Sequence, residues 1–445
     1  MNNTIKFGTD GIRGYANNFP FTKDALEILG YSIARWAINK YKKNSPKLLI
    51  GHDTRESCAR IKANLETGLL SYNLDIIDAQ IMPTPAICKI INYDKSFDFG
   101  IIISASHNKY TDNGIKIIDA KHGKLSLHDE KIIEDIFQEN LNNINKLNIQ
   151  KSGTITTWAE AQNFYVKILE KEFTQNYLLN KKIVLDCANG ATYKIASQIF
   201  ELLGAQVITI NNNPDGKNIN ENCGALHTEM LEKAVINNKA NTGFAFDGDG
   251  DRVIGIDSNG EKIDGDQIIA ILTQHPKTNN SNAVVGTIMT NLGLELYLKN
   301  KNINLLRTQV GDKYVAQELS KNKLFLGGES SGHIIMTDYL NVGDGIFIAL
   351  RVLETIIVNN IINLKQFKNI PQITINLPIK IKRELNASPF INIIKKHENI
   401  LKNGRIIVRY SGTENLLRVM AEGENEELTK STALELANSL QAELK

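Results

Sequence analysis

The sequence predicts a multidomain protein of the α/β class, and three observations lead to that prediction. Apolar runs of strand length alternate with amphipathic, helix-length stretches through most of the chain, a pattern typical of parallel α/β units. The chain has 445 residues, and because domains usually contain roughly 100–200 residues we expect three or four of them. Hydrophobic residues make up 42% of the chain and charged residues 22%, which is typical of a folded protein.

Several elements follow from this alternation. The expected strands are Lys47–Gly51, Phe99–Ile103, Lys182–Leu185, Gln206–Ile210, Phe244–Phe246 and Ala283–Gly286, with a helix over Leu292–Lys299. Most of these strands run directly into polar or glycine-containing segments. In open α/β sheets ligands bind outside the carboxyl ends of the strands, so we expect the functional residues in these loops.

Composition changes along the chain predict the domain boundaries. The Asn-rich stretch Asn140–Ser152 is typical of a linker, and a turn signal at Asp257–Gly260 marks a second boundary. After Lys365–Pro371 the pattern changes to short strands and a Glu-rich terminal helix, which indicates a smaller α+β domain. The predicted domains are therefore residues 1–152, 153–256, 257–367 and 368–445.

Net charge excludes some classes of partner. The formal charge is +2, with no basic arm for nucleic acid or an anionic membrane. The first residues lack the pattern of a signal peptide, and no apolar run approaches the ~18 residues of a membrane span. The four cysteines are scattered without a C-x-x-C pair, which predicts reduced thiols. We therefore expect a cytoplasmic protein with no nucleic-acid or membrane partner.

Three alternating aspartates follow the strand Phe244–Phe246. Asp247, Asp249 and Asp251 are separated by glycines, so their carboxylates can converge, and hard oxygen ligands suit Mg²⁺. An acidic surface turn is the simpler alternative. A calcium loop is excluded, because Arg252 and Ser258 occupy positions where an EF-hand needs Gly and Glu. An aspartyl-phosphate phosphatase that uses Asp247 as its nucleophile also remains open.

Other strand-end loops offer a nucleophile and phosphate donors. Ser104-Ala-Ser106-His107-Asn108 follows Phe99–Ile103 and presents hydroxyls between two apolar runs, although a polar turn is an equally good interpretation. The loop Gly327–His333 combines a carboxylate, hydroxyls and an imidazole, which suit sugar binding and acid–base work. Arg409–Arg418 supplies arginines, hydroxyls and a glycine for a phosphate. Phe7–Gly14 adds Arg13, a hydroxyl and glycines.

As an ordered set, these motifs resemble the α-D-phosphohexomutase superfamily over Phe7 to Gly423. The opening Phe-Gly-Thr-Asp-Gly-Ile-Arg-Gly resembles its phosphoglucosamine mutase branch rather than its phosphomannomutase branch. The resemblance implies three related α/β domains with mixed sheets and a smaller α+β domain around a central cleft. It also implies that Ser106 rather than Ser104 carries the phosphate.

The resemblance further implies a role for individual residues. Ser106 would be the phosphorylated nucleophile and would ligate Mg²⁺, one ion per subunit, together with Asp247, Asp249 and Asp251. Arg252 would lie beside the metal, and Lys116 and His333 would be the acid–base groups. The implied substrate-binding residues are Glu329, Ser331, Thr9 and Arg13, and the implied phosphate-binding residues are Arg409, Ser411, Gly412, Thr413 and Arg418. Lys109 and Asn415 stand where the family generally has proline, which loosens two loops.

The implied reaction interconverts glucosamine 6-phosphate and glucosamine 1-phosphate through glucosamine 1,6-bisphosphate, which also serves as activator. It would supply UDP-N-acetylglucosamine and cell-wall precursors, in a monomer or homodimer. Three alternatives remain: a phosphoglucomutase or phosphomannomutase of the same superfamily, the aspartyl-phosphate phosphatase, and a noncatalytic phosphosugar-binding protein.

Overall fold

A computed structural model describes residues 4–8, 10–121, 123–141, 152–278, 281–411 and 415–444. These residues form four consecutive units, each built on one sheet. The predicted α/β class, with three mixed sheets and a smaller C-terminal α+β unit, is confirmed. Within the described ranges, every helix is too short or too polar to span a bilayer.

The first unit holds a seven-stranded sheet. Its elements are β1 (Ile12–Tyr15), α1 (Lys23–Tyr41), β2 (Lys47–His52), α2 (Ser57–Leu69), β3 (Asp75–Ile81), α3 (Thr84–Tyr93), β4 (Phe99–Ile103), β5 (Asp112–Asp119), β6 (Gly123–Lys124), α4 (Leu127–Asn140) and β7 (Thr154–Thr157). The strand order is β1-β5-β4-β2-β3-β7, with β6 beside β5. Because β7 pairs with β3, this sheet extends to residue 157 rather than ending at 152. The expected linker 140–152 lies mostly outside the described residues.

The second unit holds a five-stranded sheet of order β12-β11-β10-β8-β9. Its elements are α5 (Ala161–Glu170), β8 (Lys182–Asp186), α6 (Ile195–Leu202), β9 (Gln206–Ile210), α7 (Glu229–Asn237), β10 (Thr242–Phe246), β11 (Val253–Asp257) and β12 (Lys262–Ile263). The expected turn at Asp257–Gly260 is present, but it joins β11 to β12 within this sheet. The second sheet therefore ends at residue 263 rather than at 256.

The third and fourth units complete the chain. The third contains α8 (Gly265–Leu272), β13 (Ala283–Thr287), α9 (Leu292–Asn300), β14 (Asn304–Thr308), α10 (Asp312–Asn322), β15 (Leu326–Gly328), β16 (Ile334–Met336) and α11 (Gly345–Val358), with strand order β14-β13-β15-β16. The fourth contains β17 (Gln372–Pro378), α12 (Phe390–Leu401), β18 (Arg405–Tyr410), β19 (Leu416–Glu422) and α13 (Glu426–Glu443). Its sheet, of order β17-β19-β18, is wholly antiparallel.

The first three units place one loop each at the same topological position. In each unit a strand of the parallel part of the sheet ends, and the chain returns as an antiparallel neighbour: β4 to β5, β10 to β11, and β15 to β16. The intervening loops are 104–111, 247–252 and 329–333. All three therefore leave the carboxyl end of a parallel strand, where ligands collect in open α/β sheets.

Core packing fixes these loops relative to one another. One cluster of buried side chains runs through the first three units, from Ile87 and Ile102 through Ile183 and Phe244 to Phe347. The fourth unit has a separate core around its own sheet and α13. Because protein interiors are close-packed, a shared core holds the first three units in one arrangement.

Candidate active site

Ser106 lies where the loops 104–111 and 247–252 meet. Its hydroxyl donates a hydrogen bond to Oδ2 of Asp247, with an Oγ···Oδ2 distance of 2.7 Å. The residue is 1% exposed, and its φ of 53° lies in the left-handed region, which costs free energy for a residue other than glycine. The fold thus brings the predicted nucleophile to the first predicted metal ligand, 141 positions away in the sequence.

Ser104, the other hydroxyl of this loop, is turned inward. Its side chain is fully buried, and its hydroxyl donates to Oδ2 of Asp53 at 2.6 Å. The hydroxyl oxygen of Ser104 also accepts a hydrogen bond from the backbone N–H of Ser106, at 2.9 Å. Ser104 therefore supports the loop, whereas Ser106 faces the acidic loop of the second unit.

The three aspartates converge as the sequence predicted. Asp247, Asp249 and Asp251 are buried, and one carboxylate oxygen from each lies within 4.8 Å of the others. Burial, together with repulsion from Asp251 and Asp249, raises the pKa of Asp247 well above its usual value. The Oδ1 atoms of Asp249 and Asp251 are buried without a hydrogen-bond partner among the described residues. Clustered buried carboxylates with unused oxygens are the chemistry of a divalent cation site.

Lys116 reaches this cluster from β5. Its Nζ lies 2.9 Å from Asp249 Oδ2, 2.9 Å from Asp10 Oδ2 and 3.4 Å from Asp251 Oδ2. Burial opposes its charge, but these carboxylates outweigh burial and raise the pKa of Lys116 well above its usual value. In return, although burial opposes it, Lys116 lowers the pKa of Asp251. In this arrangement Lys116 is an ammonium group that neutralises the acidic cluster.

Two arginines and a histidine complete the surroundings of Ser106. Arg13, on β1, donates to the carbonyl of Ala105 at 2.9 Å. Arg252 donates its backbone N–H to Asp247 at 3.1 Å, and its guanidinium Nε lies 3.9 Å from Asp251 Oδ1. The Nδ1 atom of His107 lies 3.2 Å from Ser106 Oγ. Burial, together with the charges of Arg252 and Arg13, lowers the pKa of His107 to about 3, so this ring is neutral.

His333 lies between two carboxylates, with Nδ1 3.7 Å from Asp251 and Nε2 3.6 Å from Asp312. Burial opposes charge on the ring, but these carboxylates raise the pKa of His333 to about 9. The backbone N–H of Gly343 donates to Nε2 at 3.1 Å, a contact that requires a free lone pair there. The Gly343 contact fits the neutral ring with its proton on Nδ1, whereas the two carboxylates favour a second proton, so the surroundings of His333 support both protonation states.

The loop that was predicted to bind the sugar, residues 327–333, ends at His333. Glu329 accepts the backbone N–H of Gly311 at 2.9 Å through Oε1, and Ser331 is partly exposed in the same loop. The loop packs against α8, because Gly265 donates its N–H to the carbonyl of Ser330 at 3.0 Å. A carboxylate and a hydroxyl are therefore presented together, as expected for sugar hydroxyls.

A narrow cavity lies beside these groups. Its polar lining includes predicted residues, Lys116, Asp251 and His333, and others that the sequence did not single out: Asp10, Thr84, Lys124, Glu130 and Asp312. Asp10 stood within the N-terminal motif, and Asp312 follows a glycine after β14, so position alone could have suggested both. Lys124 pairs with Asp312 at 2.5 Å and with Asp10 at 3.1 Å, which links the first and third units across this cavity.

The predicted phosphate donors lie in the fourth unit. Arg409 and Arg418 are cross-strand neighbours in the β18–β19 register. Burial and the charge of Arg418 lower the pKa of Arg409, so an anion at this position relieves repulsion. Ser411 is buried at the end of β18. Gly412, Thr413 and the N-terminal Thr9 lie outside the described residues.

Hydrogen bonds connect the fourth unit to the third. Arg405 donates to the carbonyl of Ile288 at 2.9 Å, and Glu422 accepts the backbone N–H of Leu292 at 2.9 Å. Of the residues the structure describes, those lining the cavity beside Lys116 and His333 all come from the first three units. The donors of the fourth unit therefore form a separate, cationic part of the site.

Comparison with known proteins agrees with this architecture. The chain matches the phosphoglucomutase/phosphomannomutase family in each of its four domains: α/β/α domain I over residues 4–143, domain II over 163–260, domain III over 264–371 and the C-terminal domain over 375–439. It is 39% identical to the phosphoglucosamine mutase of Syntrophus aciditrophicus, covering 98% of this chain and 99% of that protein. It is 42% identical to that of Thermodesulfovibrio yellowstonii, covering 97% of each.

Solved structures share the fold at lower identity. A putative phosphomannomutase from Thermus thermophilus superposes with a TM-score of 0.79 at 20% identity, covering 99% of this chain and 100% of that one. An Aspergillus fumigatus N-acetylphosphoglucosamine mutase, solved with GlcNAc-6P and magnesium, gives 0.70 at 16% identity, covering 99% and 96%. With four matching domains and full-length relatives, the chain belongs to the phosphoglucosamine mutase branch of the phosphoglucomutase/phosphomannomutase family.

Proposed function

We propose that the protein is a mutase that interconverts glucosamine 6-phosphate and glucosamine 1-phosphate through a phosphorylated Ser106. The substrate assignment is supported by curated relatives that carry this activity in their names, at 39% and 42% identity over nearly the whole chain. The chemistry is carried by one observation, the 2.7 Å contact of Ser106 Oγ with the buried carboxylate of Asp247.

The proposed reaction consists of two phosphoryl transfers, one from Ser106 to the sugar and one from the sugar back to Ser106. O1 of glucosamine 6-phosphate attacks the phosphorus of phospho-Ser106, so that a P–O1 bond forms and the P–Oγ bond breaks; the O1 proton passes to a base, and Oγ takes up a proton as it leaves. The bound 1,6-bisphosphate then reorients. Ser106 Oγ gives up its proton and attacks the phosphorus at O6, so that a P–Oγ bond forms, the P–O6 bond breaks and O6 takes up a proton. Added 1,6-bisphosphate acts as activator because it phosphorylates Ser106 directly.

His333 and Lys116 are the proposed acid–base groups. His333 has a ring nitrogen facing each of two carboxylates, which suits a group that takes up and returns a proton. With its carboxylate partners in their present positions, Lys116 is an ammonium group. It therefore acts as an acid or as a positive charge near the phosphoryl group. A divalent cation on those carboxylates would lower its pKa and bring it nearer to use as a base.

We propose Mg²⁺, one per subunit, as the metal, held by phospho-Ser106 and the three aspartates. The Oδ1 atoms of Asp249 and Asp251, which have no hydrogen-bond partner among the described residues, are hard oxygen donors that fit it. Bound there, the ion would neutralise charge that develops on the transferring phosphoryl group. Arg252 and Arg13 add fixed positive charge near Ser106, since the charges of both act on the adjacent His107.

Substrate recognition is proposed to involve three units. Glu329 and Ser331 are proposed to hold sugar hydroxyls, with Thr9 and Arg13 completing the binding site. The nonreacting phosphate is proposed to bind the fourth unit, through Arg409, Ser411, Gly412, Thr413 and Arg418. The repulsion between Arg409 and Arg418 supports this assignment, because a dianion would relieve it.

We expect a cytoplasmic monomer or homodimer.

The aspartyl-phosphate alternative has less support in the geometry. Both carboxylate oxygens of Asp247 accept hydrogen bonds, from the Ser106 hydroxyl and from the Arg252 backbone N–H. Burial and the neighbouring Asp251 and Asp249 disfavour negative charge on Asp247, so a phosphate on this carboxyl would add to the repulsion, whereas a cation would relieve it. Asp247 therefore suits metal binding better than covalent catalysis.

The test is a coupled mutase assay with Mg²⁺ on glucosamine, glucose and mannose 6-phosphates, run on wild type and on Ser106→Ala. We expect the amino sugar to be preferred and the variant to lose turnover. Retained turnover in Ser106→Ala would sink the mechanism. Equal rates on all three sugars would favour a general phosphohexomutase, and phosphate found on Asp247 by mass spectrometry would favour the phosphatase.

A further inference from the structure

Arg55, in the loop between β2 and α2, holds the whole Ser106 loop by its main chain. The residue is 2% exposed. A guanidinium has five N–H donors in a fixed plane, and here each of the five has an acceptor. They donate to Asp53 Oδ2 (2.8 Å) and to the carbonyls of Ser106 (3.0 Å), Asn108 (2.8 Å), Asp112 (3.1 Å) and Lys109. One buried side chain therefore fixes the loop from its nucleophile to the start of β5.

A second connection reaches Ser106 through Asp53. The Asp53 carboxylate, fully buried, pairs with Arg55 and accepts the Ser104 hydroxyl at 2.6 Å. Ser104 Oγ in turn accepts the backbone N–H of Ser106 at 2.9 Å. The N–H and the carbonyl of Ser106 are thus both held by the Arg55–Asp53 ion pair, one through Ser104 and one directly.

Asn220, in the second unit, also donates hydrogen bonds to this loop. Its Nδ2 donates to the carbonyls of Ser106 at 2.9 Å and Asn108 at 3.1 Å, both of which also accept from Arg55. The position of Asn220 is itself fixed, since its backbone N–H donates to the carbonyl of Ala188 at 2.9 Å. Two units therefore converge on two carbonyls of one loop.

These hydrogen bonds stabilise the left-handed backbone conformation of Ser106. Ser106 has a φ of 53°, a conformation that persists only when its surroundings over-determine it. The position after Asn108 is Lys109, an exposed residue with no ring to restrict the backbone. Arg55 binds the carbonyl of Lys109 and supplies the restraint through hydrogen bonds instead.

We infer that Arg55, with Asn220, is a positioning residue that aims Ser106 Oγ at the transferring phosphoryl group; this rests on the proposed function of Ser106. Both side chains direct their N–H donors at main-chain carbonyls of the loop, with one Arg55 donor on Asp53, so neither is assigned a contact with the sugar. Misplacement of a reacting atom by about 1 Å costs on the order of 100-fold in rate. The loss falls on phosphoryl transfer rather than on substrate binding.

The experiment uses full-length Arg55→Lys, with Asn220→Ala as an independent second variant. A lysine keeps the charge beside Asp53 but cannot reach four carbonyls with one ammonium group. Arg60→Lys is the matched control, because Arg60 also donates to main-chain carbonyls, those of Phe21 (3.0 Å) and Ala16, on another segment. The measurements are kcat and KM for glucosamine 6-phosphate, each per mole of phosphorylated Ser106 determined by intact mass, and phosphoryl uptake from a hexose 1,6-bisphosphate.

We expect kcat per phosphoserine to fall on the order of 100-fold in Arg55→Lys and about 10-fold in Asn220→Ala, with KM within about two-fold and Arg60→Lys unchanged. A kcat per phosphoserine equal to wild type would overturn the inference, even if the yield of folded protein drops. If Arg55→Lys does not fold, Asn220→Ala decides alone. A wild type inactive on all hexose 6-phosphates would refute the proposed function instead, and phosphoryl uptake by Ser106 would still test the positioning.

Discussion

Asp266→Asn should stabilise the protein in a way that depends on pH. Asp266 lies in the first turn of α8, 1% exposed. Its Oδ2 accepts the N–H of Asn291 at 2.8 Å, whereas its Oδ1 is buried without a partner among the described residues. Burial, together with repulsion from Asp264, raises the pKa of Asp266 from 3.8 to about 7. An amide keeps the acceptor for Asn291 and carries no charge.

The size of the effect follows from this shift. A raised carboxyl pKa favours the folded state while the group is protonated, so its contribution is complete below the unfolded pKa and is lost as pH rises toward 7. Three pKa units correspond to about 4 kcal/mol in total, of which about 2–3 kcal/mol is lost between pH 5 and pH 8. The amide does not titrate, so its advantage over wild type should grow by that amount over the same interval.

The assay is urea unfolding followed by far-UV circular dichroism at pH 5 and pH 8. Fluorescence is unsuitable because both tryptophans, Trp36 and Trp158, lie before the third unit. Asp24→Asn, at an exposed position in α1, is the control for loss of one carboxylate. A difference between wild type and Asp266→Asn that is the same at both pH values, or that shrinks at pH 8, would refute the reasoning.

Three further outcomes are expected. Chelation with EDTA should abolish mutase turnover and added Mg²⁺ should restore it, because the carboxylates of Asp249 and Asp251 have oxygens without a partner in the described structure; undiminished activity in EDTA would contradict the metal assignment. Arg409→Ala should raise KM for glucosamine 6-phosphate roughly 10-fold or more through loss of a charged hydrogen bond, and an unchanged KM would exclude Arg409 from phosphate binding. Lys109→Pro should preserve turnover, since Lys109 is exposed and Arg55 holds its carbonyl; complete loss of activity would be the contrary result.

Much of the fold could be predicted because periodicity is a local property. The expected strands Phe99–Ile103 and Gln206–Ile210 are confirmed residue for residue, and the others differ only at their ends. The predicted domain limits stay a prediction. The pairings of β7 with β3 and of β12 with β11 were not part of that prediction, because a short strand carries no local sign of the sheet that it joins.

The candidate site could be predicted in part. The alternation of aspartates and glycines after an apolar strand was enough to indicate convergent carboxylates, which the structure places within 4.8 Å of one another. The protonation of the acid–base candidates was beyond the sequence. Whether the pKa of Lys116 is lowered or raised depends on how many carboxylates lie around it. Asp10 comes close to Lys116 together with Asp249 and Asp251 only in the folded chain.

By itself, the sequence determined the class of fold, the loops that carry the chemistry and the types of group in each loop. Only the tertiary structure decided how these groups are placed: Ser106 faces Asp247 while Ser104 turns inward, and Arg55 holds the loop from Ser106 to Asp112. The reason is physical. Local spacing specifies strands and turns, but a contact between residues 141 positions apart depends on how separate sheets pack on one shared core.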